Sequence, residues 1–303
     1  MARNKIGTSA AIAACCAAAG LGLVGCDDTD DTSTGAEPSA ASSAPESDEE
    51  LITGTQTITV GDYSVNVSCS GTQVGNRPVV ILMHGGGDDL TTMADLQETL
   101  SENGRVCSYD RLGAGASDQP AGPQDYEEIG EILTGVIEQT AGGRSVVLAG
   151  HSMGGLLAGR YAPEHTDLVS GVVLMDATSP SAIADLEARI PESATGDAAE
   201  LRAQTLAVYQ GQNPEQLVFT DGEVRSAGDI PVRVIQHGQQ YLAEMTEYGP
   251  GLEEDWAKGQ EEWLALSENS ELSTAEDSGH YIYVDQPEIA VEAIEQVTEE
   301  AAG

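Results

Sequence analysis

Apolar and polar positions change period several times along the chain. "TQTITVG" and "YSVNVSCSG", from Thr55 onward, alternate as half-buried strands do, and Gly61-Asp62 between them suits a tight turn. "RPVVILMHGGG", "RVCSYD", "RSVVLAG" and "LVSGVVLMDA" are instead short, nearly continuous apolar runs, the pattern of strands covered on both faces. Helical signals lie between them, at Thr91 to Leu100, Asp125 to Thr140 and "MGGLLAGRYA". Strands alternating with helices predict crossover connections and an α/β fold with a mostly parallel sheet. Residues 179–228 break the alternation: rich in Ala, Glu, Asp and Gln and interrupted by Pro191 and Pro214, they predict a helical insertion above the sheet edge. Sheet character returns at "IPVRVIQHG". "SELSTAEDSGHYIYVDQPE" predicts a last strand and a loop containing His280, before an amphipathic helix from about Pro287 to Glu299.

The first 50 residues follow neither period. Arg3 and Lys5 precede an uncharged apolar stretch over residues 10–25 that is short for a bilayer span and ends in "LGLVGC". This predicts an export signal over residues 1–25. Leu23-Val24-Gly25-Cys26 resembles the lipobox of bacterial lipoproteins, which implies cleavage before Cys26 and a lipid on its sulfur. Residues 27–50 hold nine acidic side chains and no basic one among Ser, Thr, Ala, Gly and Pro, a composition that cannot bury a core and predicts a disordered tether. The expected division is therefore signal 1–25, lipidated Cys26 and tether 26–50, and one domain over 51–303. The expected location is the extracytoplasmic face of a bacterial cell membrane.

Charge removes whole classes of partner. Twelve Lys and Arg stand against 51 Asp and Glu, a formal net charge of -39, which opposes nucleic acid and anionic lipid surfaces. The expected membrane contact is the N-terminal lipid alone. Of the five cysteines, Cys15 and Cys16 fall in the signal and Cys26 is the expected lipid site. Cys69 and Cys107 remain, and two thiols in an oxidising compartment suggest one disulfide.

The candidate chemistry sits where a strand stops at "GHSMGG". Ser152 directly follows an apolar strand and precedes a small-residue helix, the context of a nucleophile elbow. A serine hydroxyl needs a base within reach, and that base an orienting acid. His280, in its Gly-His loop after the last strand, is the candidate base. His84 opens the glycine loop, His151 points elsewhere on the turn, and His165 and His237 sit in polar surroundings that read as surface. Asp176, ending "GVVLMDA", is the preferred acid, with Glu244 or a later carboxylate as the alternative and Asp110 read as structural. Met153, next to the nucleophile, and Gly86 in "HGGG" are the candidate oxyanion-hole amides. With one Phe and two Trp in the chain, an extensive aromatic pocket is not expected.

In order along the chain, "ILMHGGG", "SYDRLGAGASD", "GHSMGG", "VVLMDA" and "SGHYIYVDQPE" resemble the α/β-hydrolase family, over about residues 55 to 300. The resemblance implies an eight-stranded sheet with the second strand antiparallel and a helical lid after the sixth strand, over about 179–228. It also implies hydrolysis of a small-molecule carboxylic ester through an acyl-serine, without metal or organic cofactor. It makes the second and fourth strands antiparallel neighbours, which implies a Cys69–Cys107 disulfide. It puts the triad acid ordinarily after the seventh strand, where "VRVIQHGQQYLAEM" has no carboxylate before Glu244. Thioesters, lactones, amides or perhydrolysis, or a catalytically silent binding lipoprotein, would fit the same pattern, and the oligomeric state is not legible.

Overall fold

The structure, a computed structural model, describes residues 51–303. The expected signal, Cys26 and acidic tether lie outside the described residues. The domain is built on one eight-stranded sheet in the order β1-β2-β4-β3-β5-β6-β7-β8. β1 (Gly54–Val60) and β2 (Tyr63–Ser70) form a hairpin around Gly61-Asp62, with Gly61 at φ 57°. β2 runs antiparallel to both neighbours; β3 (Val79–Met83), β4 (Val106–Tyr109), β5 (Val146–His151), β6 (Val169–Met175), β7 (Pro231–His237) and β8 (Asn269–Ala275) pair in parallel.

The continuous apolar runs become central strands because both faces are covered. Val79, Ile81, Leu148, Val172 and Leu174 point to one face, against Leu133 and Ile137 of α2 (Tyr126–Thr140) and Leu156 and Leu157 of α3 (Met153–Tyr161). Val80, Leu82, Val147, Val173 and Ile235 point to the other, against α1 (Ala94–Ser101) and α8 (Pro287–Ala301). The two-residue alternation of a strand sorts these side chains into two cores. Asp125 caps α2, accepting from the Glu127 and Glu128 amides while Glu128 accepts from the Asp125 amide.

Between β6 and β7 the chain makes the expected helical insertion, α4 (Ala182–Arg189) and α5 (Asp197–Tyr209), then an irregular stretch tied back by bridges at Gln124–Leu217 and Gln210–Val218. The sequence reading offered no element between β7 and β8, where the structure has α6 (Gly249–Glu262). A one-turn helix, α7 (Ile282–Asp285), precedes α8. Cys69 and Cys107 face each other across the β2/β4 register and form a buried disulfide. Among the described residues no helix is long and apolar enough to cross a membrane.

Register decides what meets at the carboxyl ends of the strands. Met83 pairs with Gly150, His151 with Met175, Met175 with Ile235, and His237 with Ala275. The residues just beyond these ends therefore share one rim: the His84 loop, Ser152, Asp176, His237 and the His280 loop. Ligands of open parallel sheets bind at such rims.

Candidate active site

Ser152 adopts φ 51° and ψ -119°, backbone that a side chain tolerates poorly. Among the described residues three non-glycines have positive φ: Ser152, Asp176 and Gln216. The first two stand on the rim described above. Strain of this kind costs about 1–3 kcal/mol per residue and persists where the surroundings over-determine it. Glycines provide the room. A side chain at Gly150 would strike the Gly154 carbonyl, and one at Gly154 the Met83 carbonyl on β3. Hydrogen bonds fix the bend to β6: the Ser152 amide donates to Met175 O at 3.1 Å, and Ser152 O accepts from Thr178 N at 3.0 Å.

Facing this turn, His280 donates through Nδ1 to Asp176 Oδ2 at 2.6 Å, which leaves Nε2 for a proton from elsewhere. Ser152 and His280 line the same cleft, of about 540 Å³. No Ser152 Oγ–His280 Nε2 hydrogen bond forms among the described residues; such bonds commonly tighten only when substrate is bound. Of the carboxylates weighed from sequence, the structure brings Asp176 to His280. Glu244 is exposed in a short turn, and Asp110 is occupied by the Leu90 and Ala116 amides and Asn66 Nδ2.

Asp176 is fully buried. Burial alone would raise its pKa, but hydrogen bonds from His237 and His280 outweigh it and hold the carboxyl at about 2. Trp256 Nε1, from α6, adds a third side-chain donor at 2.8 Å.

Two histidines differ from the sequence reading. His237 is not a surface imidazole: it is buried, its Nδ1 is 2.9 Å from Asp176 and its Nε2 is 2.9 Å from Glu253 of α6. It ends β7, where the family resemblance places the acid. The polar flanks that suggested exposure are the site itself. His151 does not simply point away; its Nε2 donates to the His280 carbonyl at 2.9 Å and so holds the His280 loop. Burial, then the nearby His280, lowers the His151 pKa to about 3, which keeps the ring neutral. His84 is also held well below its ordinary value, by burial first and then the Arg111 charge. His165 matches the surface reading, being part-exposed and stacked on Tyr161.

The glycine loop after β3 is fastened from beneath. Arg111 donates to the His84 and Gly85 carbonyls at 2.6 and 2.8 Å, and its other edge meets Glu215 of the insertion at 2.6 Å. This pair is buried. The loop therefore hangs between the sheet rim and the insertion. Gly86, whose space is bounded by the Met153 side chain, and Met153 both line the cleft beside Ser152. The Met153 amide is in the first turn of α3, where N–H groups have no intrahelical acceptor.

The insertion walls the cleft with α5 residues Thr205, Val208 and Tyr209 and with 212–215. A second, smaller cavity of about 270 Å³ adjoins it and shares Thr205, Tyr209, Tyr241 and Trp256; its lining is mostly apolar, with Leu186, Leu201, Leu252 and Met245. Three aromatic side chains, Tyr209, Tyr241 and Trp256, border both cavities among mostly aliphatic and polar neighbours. Among the described residues no group of three His, Cys, Asp or Glu side chains is arranged to hold a metal ion.

Comparison with known proteins agrees with this architecture. Residues 78–213 match the family model described as alpha/beta hydrolase fold. The human (Lyso)-N-acylphosphatidylethanolamine lipase is 33% identical over 104 residues, 33% of this chain and 30% of that protein. Epoxide hydrolase 3 of Xenopus tropicalis is 32% identical over 112 residues, 36% of this chain and 30% of its own. The matched stretch thus spans about a third of these relatives. In solved structures, the enol-lactonase of Burkholderia xenovorans LB400 superposes with a TM-score of 0.57 at 19% identity, covering 80% of this chain and 100% of that one. With the eight-stranded order and lone antiparallel β2, these matches show that the chain has the α/β-hydrolase fold.

Proposed function

We propose that the protein is a serine hydrolase of carboxylic esters, with Ser152 as nucleophile, His280 as general base and Asp176 as its orienting acid. The observation that carries this reading is the convergence on one cleft of a strained, glycine-framed serine and an imidazole whose far nitrogen is tied to a buried carboxylate. Ser152 Oγ bonds to the ester carbonyl carbon while its proton passes to His280 Nε2. The Met153 and Gly86 amides receive the negative charge on the carbonyl oxygen. As the carbon–oxygen bond to the alcohol breaks, His280 returns the proton to the leaving oxygen. Water then attacks the acyl-serine by the same route, releasing the acid and restoring the serine.

The apolar cavity beside the cleft supports an ester with an apolar acyl or alkyl arm, since burying each methylene contributes about 0.8 kcal/mol. A lipase among the relatives and an enol-lactonase among the structural neighbours act, by their names, in the same direction. A serine at the elbow favours acyl transfer, because ester hydrolysis regenerates it, whereas an alkyl ether on serine would not be released. The insertion 179–228 serves as the lid that shapes this arm's site. In the same reading the protein is exported and tethered to the outer face of the cell membrane by lipid on Cys26.

A fluorophosphonate probe tests the chemistry, followed by ester, thioester and amide panels of graded chain length. Labelling that disappears in Ser152→Ala, with esters turned over fastest, is the expected result. Absence of labelling in the intact protein would leave a binding lipoprotein instead, and fastest turnover of a thioester or amide would reassign the substrate class.

A further inference from the structure

Behind the triad the structure continues as an unbroken chain of side chains, Glu253–His237–Asp176–His280. Both ring nitrogens of His237 face carboxylate oxygens at 2.9 Å. A neutral imidazole has one N–H and would set a lone pair against one of these carboxylates; an imidazolium donates to both. Glu253 is held in place for this contact. Its Oε1 already accepts from the Leu242 and Ala243 amides, at 2.6 and 3.2 Å, so Oε2 is free for His237. Asp176 in turn receives His237 Nδ1, the His237 amide at 3.2 Å, Trp256 Nε1 and His280 Nδ1, all of them donors.

We propose that His237 is a bridge between Asp176 and Glu253 that is cationic at neutral pH, and that it acts as a positioning residue which lowers the basicity of His280 by sharing the charge of Asp176. The inference rests on the triad reading above. It also accounts for the displaced acid: in this chain the end of β7 holds the cation, and the carboxylate it serves stands at the end of β6. Other groups packed on His237 leave the assignment intact. Tyr241 lies 4.8 Å away ring to ring and Trp256 6.3 Å, and neither brings charge. Glu254 and Glu276 line the cavity of about 500 Å³ that opens beside His237, and as anions they favour the cation further. That opening also connects the ring to solvent protons. Consistently, although burial opposes the charge, hydrogen bonds to Asp176 and then Glu253 raise the His237 pKa.

Glu253→Gln isolates the effect. The amide oxygen can still accept from Leu242 and Ala243, while its NH2 now donates to His237 Nε2 and obliges that nitrogen to lose its proton. Nitrogen-15 NMR of the histidine side chains in the purified protein, with His237→Gln to identify the signal, should show both His237 nitrogens protonated at pH 7.5. In Glu253→Gln, Nε2 should move to the unprotonated position. The acid limb of the fluorophosphonate labelling rate, and the pH at which His280 titrates by NMR, should both move upward by about one unit. A His237 with one bare nitrogen at pH 7.5 in the parent protein, or a His280 titration unmoved in both variants, overturns the proposal. If the probe never labels Ser152 while the His280 titration still shifts, the bridge stands and the catalytic reading is what fails.

Discussion

Ser152 and Asp176 stand at the ends of adjacent strands, both in left-handed backbone, yet they are made in opposite ways. The elbow is local: a strand, a bend and a helix in one continuous stretch from Val146 to Tyr161, with glycines on each side to admit the crowding. The acid side is distributed, drawing His237 from β7, Glu253 and Trp256 from α6 and His280 from beyond β8. A local device can be read as a motif, whereas a distributed one exists only when the sheet register brings its parts together.

The comparison is tested hardest by removing one member from each side. Ser152→Ala should lower ester turnover by about 10⁴-fold or more, and Asp176→Asn by about 10³- to 10⁴-fold, because an amide both loses the charge and can impose the wrong His280 tautomer. Both variants should keep the far-ultraviolet circular dichroism of the parent. If Asp176→Asn retained most activity, the acid side would be scaffolding and the elbow would act alone.

A sharper contrast concerns stability. Arg111→Met would strand Glu215 in the interior, beneath the glycine loop on the elbow side, and should cost about 3–5 kcal/mol in urea denaturation. The double variant Arg111→Met/Glu215→Leu should recover most of that loss, since a buried pair replaced whole by apolar groups is often neutral. Activity should not recover with it, because the His84 and Gly85 carbonyls would still lack their donors. Equal costs for the single and double variants would show that the pair itself, not the orphaned carboxylate, supports the fold.

Farther from the rim, reducing the Cys69–Cys107 link should cost at most about 4 kcal/mol, from chain entropy over its 38-residue separation. Because both cysteines lie on β2 and β4, away from the acid side, a Cys69→Ser/Cys107→Ser variant should keep its turnover number while its urea midpoint falls.

What the sequence disclosed follows the same division. The doubly covered strands, the helical insertion, the elbow, and the His280 loop all carry their signal in runs of neighbouring residues, and the structure has each of them. The meeting of Asp176 with His280 is preferred from sequence but left open against Glu244 or a later carboxylate, because position along a strand does not show which of several ends a loop returns to. His237 was misread outright: Gln236, Gly238 and Gln239 around it are polar, and polar flanks describe an active-site rim as well as a surface. Glu253 and Trp256 are three apart on α6 and so project to one side of it, but nothing in "GLEEDWAKGQ" says what that side meets. The grouping of three aromatic side chains at the cleft was invisible for a related reason, since Tyr209, Tyr241 and Trp256 come from three separate segments.

The smallest expected effect gives the two sides opposite signatures. On the elbow side His84 and His151 are held neutral, their pKa values lowered by burial. The unfolded chain binds protons there below about pH 6.5 and the folded one does not, so their contribution is complete above that pH and fades as pH falls. His237 on the acid side is raised despite burial, by Asp176 and Glu253, so its contribution is complete below about pH 6.5 and is lost as pH climbs through the raised value. Urea midpoints measured from pH 5 to 9, in enough salt to screen the -39 formal charge, should therefore slope in both directions. His151→Gln should flatten the acid arm, where Gln can still donate to the His280 carbonyl, and Glu253→Gln should flatten the alkaline arm. The carboxylates other than Glu253 are common to all three proteins and cancel in the comparison. If either variant flattened the other's arm, the elbow and the acid side would be one electrostatic unit, and the division between a local and a distributed half would have to be given up.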